Sequence, residues 1–562
     1  MSVFQTRRAL AGLACVLFAA ASPALAQQQP AGPKQLRPAA EVEQQPTRPA
    51  APGDIRVNRL DAPGESSAGV LGEQDGGLPL TLWEGSDRGV IEALFARLPA
   101  HYRSPVARDL ARRLLLSGGQ MPEARPGDAG LLARRIELVL TLGDAEGAVA
   151  LAQAAGGAAP PPEVAEPLTE ALLALGENDR ACGTVEGQIR LGGRGYWQRA
   201  SVFCDILAKR LDAADLTLSL LAEASDPDPL FRTLANALLD GADVNIEATP
   251  EMTALHLSMA LGGKTTVIRN SDVMPPHLAR RLLTASAADS DSRIAAGVRA
   301  VRHTGMSPAV VMLLFGGSAG ENGAPFRNPT VTAMTAQTAA VRAEAVNDLW
   351  NSATGPGDKP VAAAFAEGFL KNLKPDAGSY FIAPAAFRIA LLNGETKQAE
   401  IWLTALRRAS ASGVLPGEAL QAAHPLARLA GMQGADDRVL DLWLDGELAE
   451  GGDTARAFMV LLALDALGDP ADAGVWARLL EAVPAAAQQT APDFALWRQL
   501  VVASGANRVG ETLQAALTII GADGPQGLDP VTLATVAGAL RRAGLAAEAR
   551  QLILEAVIGQ GG

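Results

Sequence analysis

One serine and a handful of histidines carry most of the reactive chemistry this sequence could support. Ser318 stands in Gly316-Gly317-Ser318-Ala319-Gly320, the spacing of a nucleophile elbow, where a serine on a tight strand-to-helix turn is activated by a later histidine and acid. An apolar run, Val310 to Phe315, precedes it, and His424 is the only histidine that follows. An elbow needs a strand before its serine, yet Ser307-Pro308 caps that run as a helix. The stretch therefore reads as a glycine-rich helix end. Leu261-Gly262-Gly263-Lys264-Thr265 has the tail of a phosphate-binding loop, but Ser258 occupies the place of the leading glycine and helix precedes it. The histidines at 101, 256, 277, 303 and 424 form no pair at helical ligand spacing, and His256, inside Leu255-His256-Leu257, reads as a core or half-buried residue. No catalytic residue, cofactor-binding residue or metal ligand is assigned, and no cofactor is expected.

The segments that would have to position such groups begin with a leader. Arg7 and Arg8, the apolar run Ala9 to Ala21 and Ala24-Leu25-Ala26 before Gln27 have the three parts of a secretory signal peptide, 1–26, cleaved after Ala26. The run is shorter than the roughly 20 apolar residues of a membrane span and ends at Pro23. Gly12-Leu13-Ala14-Cys15 is a poor lipoprotein box, its leucine being misplaced. No later stretch is long and apolar enough to cross a bilayer, so export to the periplasm is the expected destination. There Cys182 and Cys204, the two cysteines left after cleavage, are expected to form a disulfide. Each lies about as far from the Leu191-Gly192-Gly193 connection as the other, so the two face each other across a helical hairpin. With 48 Lys and Arg against 61 Asp and Glu, a net charge of −13, the chain repels polyanions, and the leader takes two arginines with it. Nucleic acid and anionic lipid are thereby excluded as expected partners.

Residues 27–80, rich in Gln, Pro, Ala and Gly without an apolar period, read as a disordered linker. Beyond it the punctuation is helical. Ser104-Pro105, Asp228-Pro229, Thr249-Pro250, Ser307-Pro308 and Asp529-Pro530 each set a capping side chain before a proline at the first helical position. No stretch shows sustained two-residue alternation with β-branched enrichment, so no strand is expected.

One phrase recurs: a glycine, four residues, then a small residue heading a new apolar stripe. It runs Gly143 to Ala148, Gly176 to Ala181, Gly394 to Ala399, Gly468 to Ala473 and Gly544 to Ala549, with weaker copies at Gly434 to Val439 and Gly505 to Gly510. The glycine suits a left-handed cap and the small residue allows close helix packing. Gly143 to Gly176 is 33 residues, another 33 reaches Lys209, and later steps are 40, 34, 37 and 39. These residues, with Ala155 and Ala556, resemble the tetratricopeptide family, built from helix pairs of about 34 residues. The family's first-helix glycine and tyrosine and its terminal proline are missing. The resemblance implies an all-α, right-handed superhelix of helical hairpins (an α-solenoid), with repeats at 81–241 and 393–562 and an irregular helical region at 242–392. Gly431-Met432-Gln433 also resembles a fragment of the lytic transglycosylase motif, but the catalytic glutamate-serine pair that should precede it is missing from Ser410 to Leu415.

A helical superhelix of this kind implies binding rather than catalysis. The expected function is a protein- or peptide-binding scaffold or adaptor in the cell envelope, not an enzyme. A holdase-like chaperone is the alternative, and behind it a serine hydrolase using Ser318. Tryptophans 197, 402, 443, 476 and 497, set mostly among leucines, are expected in the core.

Overall fold

Glycines, not strands, organise this chain. The computed structural model describes residues 67–123, 130–156, 162–317, 326–434, 437–449, 452–482 and 493–560. The expected leader, the linker up to residue 66 and Ser318 lie outside them. The described residues belong to one unit, 61–562, and are helical almost throughout. Gly143, Gly176, Gly394, Gly468 and Gly544 have φ of +91°, +79°, +70°, +82° and +85°, a left-handed backbone that side chains with a Cβ resist. After each, the next amide reaches back five residues to close the helix end: Asp144 N–H to Val139 O (3.2 Å), Glu177 to Leu172 (2.9 Å), Glu395 to Ala390 (2.9 Å), Asp469 to Leu464 (3.0 Å) and Leu545 to Leu540 (2.9 Å). Carbonyls orphaned by the helix terminus are satisfied this way. Lys209 makes the same turn without glycine, at φ +62°, with Arg210 N–H on Asp205 O at 2.8 Å.

Ala148, Ala181, Ala399 and Ala549 are buried, each on a helix that packs on the one before it. Ala473 is not: it stands exposed. Helices after the other four glycines start two residues on, whereas Asp469-Pro470 delays this one until Ala473, where Gly474 N–H is held by Asp472 Oδ1 at 2.7 Å. The delay turns Val475 and Leu479 inward instead. Gly505 likewise makes no turn. It ends the helix Phe494–Gly505, and Asn507 takes the positive φ, +55°.

Three further expectations are corrected. Val244–Glu247 and Thr266–Arg269 form a two-stranded parallel sheet, with Val244 opposite Thr266 and Glu247 opposite Arg269. Helix Ala254–Ala260 lies in the crossover between them, as parallel pairing requires. Val-Asn-Ile-Glu does alternate, buried then exposed, but over four residues only, too short to stand out as a pattern. Pro250 starts no helix; Thr253 caps the helix beginning at Ala254, its hydroxyl accepting His256 N–H at 3.4 Å. Residues 67–80, expected as linker, are packed: Ala68 and Leu78 are buried, and Val70 N–H bonds Leu116 O at 2.8 Å.

The helices from Leu131–Thr141 to Leu211–Glu223 each pack on the next. A different contact joins the two ends of the described chain. Arg88–Arg97 and Pro105–Leu116 pack on Val509–Ile520, and the last helix, Ala546–Gly559, packs on Pro105–Leu116, Ala383–Leu392 and Thr454–Leu467. Gly510 N–H bonds Leu82 O (2.9 Å), Arg103 N–H bonds Ala522 O (2.9 Å), and Gln514 Nε2 donates to Ile91 O (3.2 Å). In a linear array, where each unit meets only its neighbours, no such bonds exist.

Candidate functional site

Two clefts stand out, one at the seam between the ends and one at the disulfide. The seam cleft encloses about 560 Å³ and is walled by Pro105, Val106 and Asp109, the turn Leu391–Thr396, Ala430 and the last helix through Ala547, Glu548, Arg550, Gln551 and Leu554. Its polar groups hold the walls together. Gln551 Nε2 donates to Leu391 O and Leu392 O, both at 2.9 Å, and Arg550 Nη1 donates to Leu429 O at 2.7 Å. Arg113 bridges Glu548 (2.5 Å) and Asp109 (3.7 Å). One residue along from the lining, Ser104 Oγ accepts Ala107 N–H at 3.0 Å and donates to Glu555 Oε2 at 2.8 Å. Burial raises the Glu555 carboxyl to about 8, against the lowering effect of Ser104, Arg108 and Val106 N–H.

The second cleft, of about 530 Å³, lies between the helices Asn178–Arg190 and Tyr196–Leu207, where Cys182 and Cys204 form a disulfide with their Cα atoms 5.6 Å apart. Both cysteines line it, with Ile189, Leu207 and Thr217. The bridge spans 22 residues, so Cys182→Ser is expected to lower stability by about 3 kcal/mol through the freer unfolded chain. Mass measurement after alkylation checks the pairing: the purified protein takes up alkyl groups at these positions only after reduction. Uptake without reduction would refute it.

The histidines do not assemble a base. His256 Nδ1 accepts Thr253 N–H at 3.2 Å, which leaves Nε2–H to donate to Asp228 Oδ2 at 2.9 Å. Both ring nitrogens are thus engaged in fixing the helix start at Ala254. Arg199 meets Asp226 at 2.9 Å beside them, and half-buried Glu170 accepts Tyr196 O–H at 2.8 Å and Ala254 N–H at 2.6 Å. Burial raises the Glu170 carboxyl. The fold brings together one pair the sequence does not connect: the rings of His101 and His303 meet edge to face, centroids 5.2 Å apart. Burial lowers both, His303 to about 3, and Arg299 and Arg103 nearby push the same way. His277 is lowered to about 4 by burial. His424 starts the helix His424–Leu429. Lys264-Thr265 leads into a strand rather than out of one, the reverse of a phosphate-binding loop. Among the described residues no group of three or more His, Cys, Asp or Glu side chains is placed to hold a metal ion, and no helix is long and apolar enough to cross a membrane. Trp402 and Trp443 are buried, while Trp497 stands partly exposed with Phe494 and Val501, one helical turn apart along Phe494–Gly505. No protein-family model matches the chain, and no curated protein shows significant similarity to it.

Proposed function

We propose that this chain is an exported helical-repeat protein, a tetratricopeptide-like right-handed superhelix of hairpins, that serves as a protein- or peptide-binding scaffold in the cell envelope. One observation carries the reading: large apolar side chains stand exposed on three successive helices, Ile189, then Leu207, then Leu216 and Leu220, and again along the single helix Phe494–Gly505 at Phe494, Trp497 and Val501. Helices normally turn such residues into the core, and grouped exposure rimmed by polar residues marks an interaction surface. The left-handed turns and the stepwise packing from Leu131 to Glu223 support the repeat assignment. The leader-like residues Arg7 to Ala26 and the Cys182–Cys204 bridge support export.

Cross-linking in intact cells, followed by affinity capture and mass spectrometry, tests this. A mature chain beginning at Gln27, with one defined partner at constant stoichiometry, is the expected outcome. A chain that keeps its first 26 residues, or one recovered without any partner, defeats the proposal. Clients recovered only from heat-stressed cells, together with suppressed aggregation in vitro, would favour the holdase instead.

A further inference from the structure

The cleft at the disulfide has chemistry that selects its occupant. Ile189 and Leu207, 36% and 41% exposed, line it, and Leu191, Leu211, Leu216 and Leu220 are exposed on or beside the same run of helices. Its charged lining is three carboxylates, Asp179, Glu186 and Asp205, and one guanidinium, Arg210, which already pairs with Asp205 at 2.6 Å. Glu186 meets Arg190 at 2.9 Å, and both of those side chains are largely exposed. The cleft therefore sets apolar side chains, Ile189 and Leu207, among three carboxylates and one guanidinium.

Its walls are helices whose main-chain groups bond within themselves, so they offer no strand edge for an extended peptide to join. An occupant must satisfy its own backbone, which a helix does. The wall from Asp179 to Ile189 is ten residues of helix, about 15 Å long, enough for about three turns of a second helix.

From this geometry we infer that the cleft seats an amphipathic helix of a partner protein, with leucine-like side chains at i, i+4 and i+7 against Ile189 and Leu207 and lysines or arginines facing Asp179 and Glu186. The inference deepens the scaffold reading above and rests on it only in taking the partner to be a protein. Electrostatic complementarity sets the choice between helices, and apolar contact gives the hold.

Fluorescence anisotropy on the oxidised full chain provides the test, with three labelled peptides: an amphipathic leucine/lysine helix, the same apolar face carried on glutamate, and a scrambled leucine/lysine sequence without a face. The first is expected to bind at least about tenfold tighter than either other, about 1.4 kcal/mol. The double variant Ile189→Gln, Leu207→Gln is expected to lose that advantage while keeping the wild-type helical content, since both side chains reach the surface. Asp179→Asn with Glu186→Gln is expected to narrow the gap between lysine and glutamate peptides without abolishing binding. Equal binding of the scrambled peptide, or undiminished binding by the folded double variant, overturns the assignment. If that variant still captures the wild-type partner in cells, the cleft is not the site although the scaffold reading stands. If the amphipathic peptide docks as described while cells yield no partner, the scaffold reading fails and the cleft's selectivity is upheld.

Discussion

Stability is expected to fall as the pH rises from about 5 to 9, and Glu555→Gln is expected to remove most of that fall. Glu555 is 3% exposed on the last helix and tied to Ser104 at the start of Pro105–Leu116, with its second oxygen unpartnered. Burial sets its folded-state value at about 8, against 4.5 as the reference. Because the folded value is the higher one, the group's contribution is fully present below 4.5 and is lost progressively as the pH climbs through 8. At about 1.36 kcal/mol per pH unit of separation, the full loss is on the order of 5 kcal/mol. Denaturant midpoints measured across that range for both proteins test it, the difference between them isolating this carboxyl from every other titrating group. Parallel curves for wild type and variant would show that Glu555 ionises without cost in the folded protein.

Gly510→Val is expected to cost at least about 3 kcal/mol and to release the N-terminal segment from the body. A Cβ at this position would lie 2.5 Å from Cζ3 of buried Trp83 and 2.9 Å from Leu82 O, the carbonyl that Gly510 N–H bonds. Neither neighbour can yield, since one is a ring in the core and the other is backbone. Tryptophan emission shifted to the red and faster proteolysis ahead of Arg88 report the release. Gly446→Ala, in the helix Asp437–Leu448 with open space around it, is the control; it is expected to stabilise by about 0.5–1 kcal/mol. Wild-type emission and stability in Gly510→Val would mean that Trp83 is not seated where the structure has it.

Gly510 also shows where reading the chain residue by residue succeeds and where it stops. As a small residue heading an apolar stripe it suggests close packing, which is correct, but its neighbour is Trp83, more than 400 residues earlier, and not the preceding helix. The turns at Gly143 or Gly394 are legible because a left-handed φ is a local demand met by a local choice of residue. The caps at Ser104, Asp228 and Asp529 are legible for the same reason, each accepting an amide two or three residues on. Thr249-Pro250 has the same letters but misleads, because the strand Val244–Glu247 occupies the chain just before it. Of the two clefts, only the cysteine pair at the second could be foreseen, since its separation follows from one hairpin. His101 meeting His303, Ser104 meeting Glu555, and the seam cleft all depend on where distant helices come to rest. Nothing local encodes that.

The contact between the last helix and Pro105–Leu116 has a consequence for how this chain can change over evolutionary time. Solenoids ordinarily lengthen or shorten by duplicating or shedding a terminal unit, since the new end is as good as the old. Here Leu552, Ile553 and Val557 of the final helix are buried, and that helix is bonded to the second helix of the chain through Ser104 and Glu555. A chain that lost this helix would bare the apolar side chains packed on it and leave Ser104 without its carboxylate partner. Loss from this end therefore carries a cost that shedding a free terminal repeat does not.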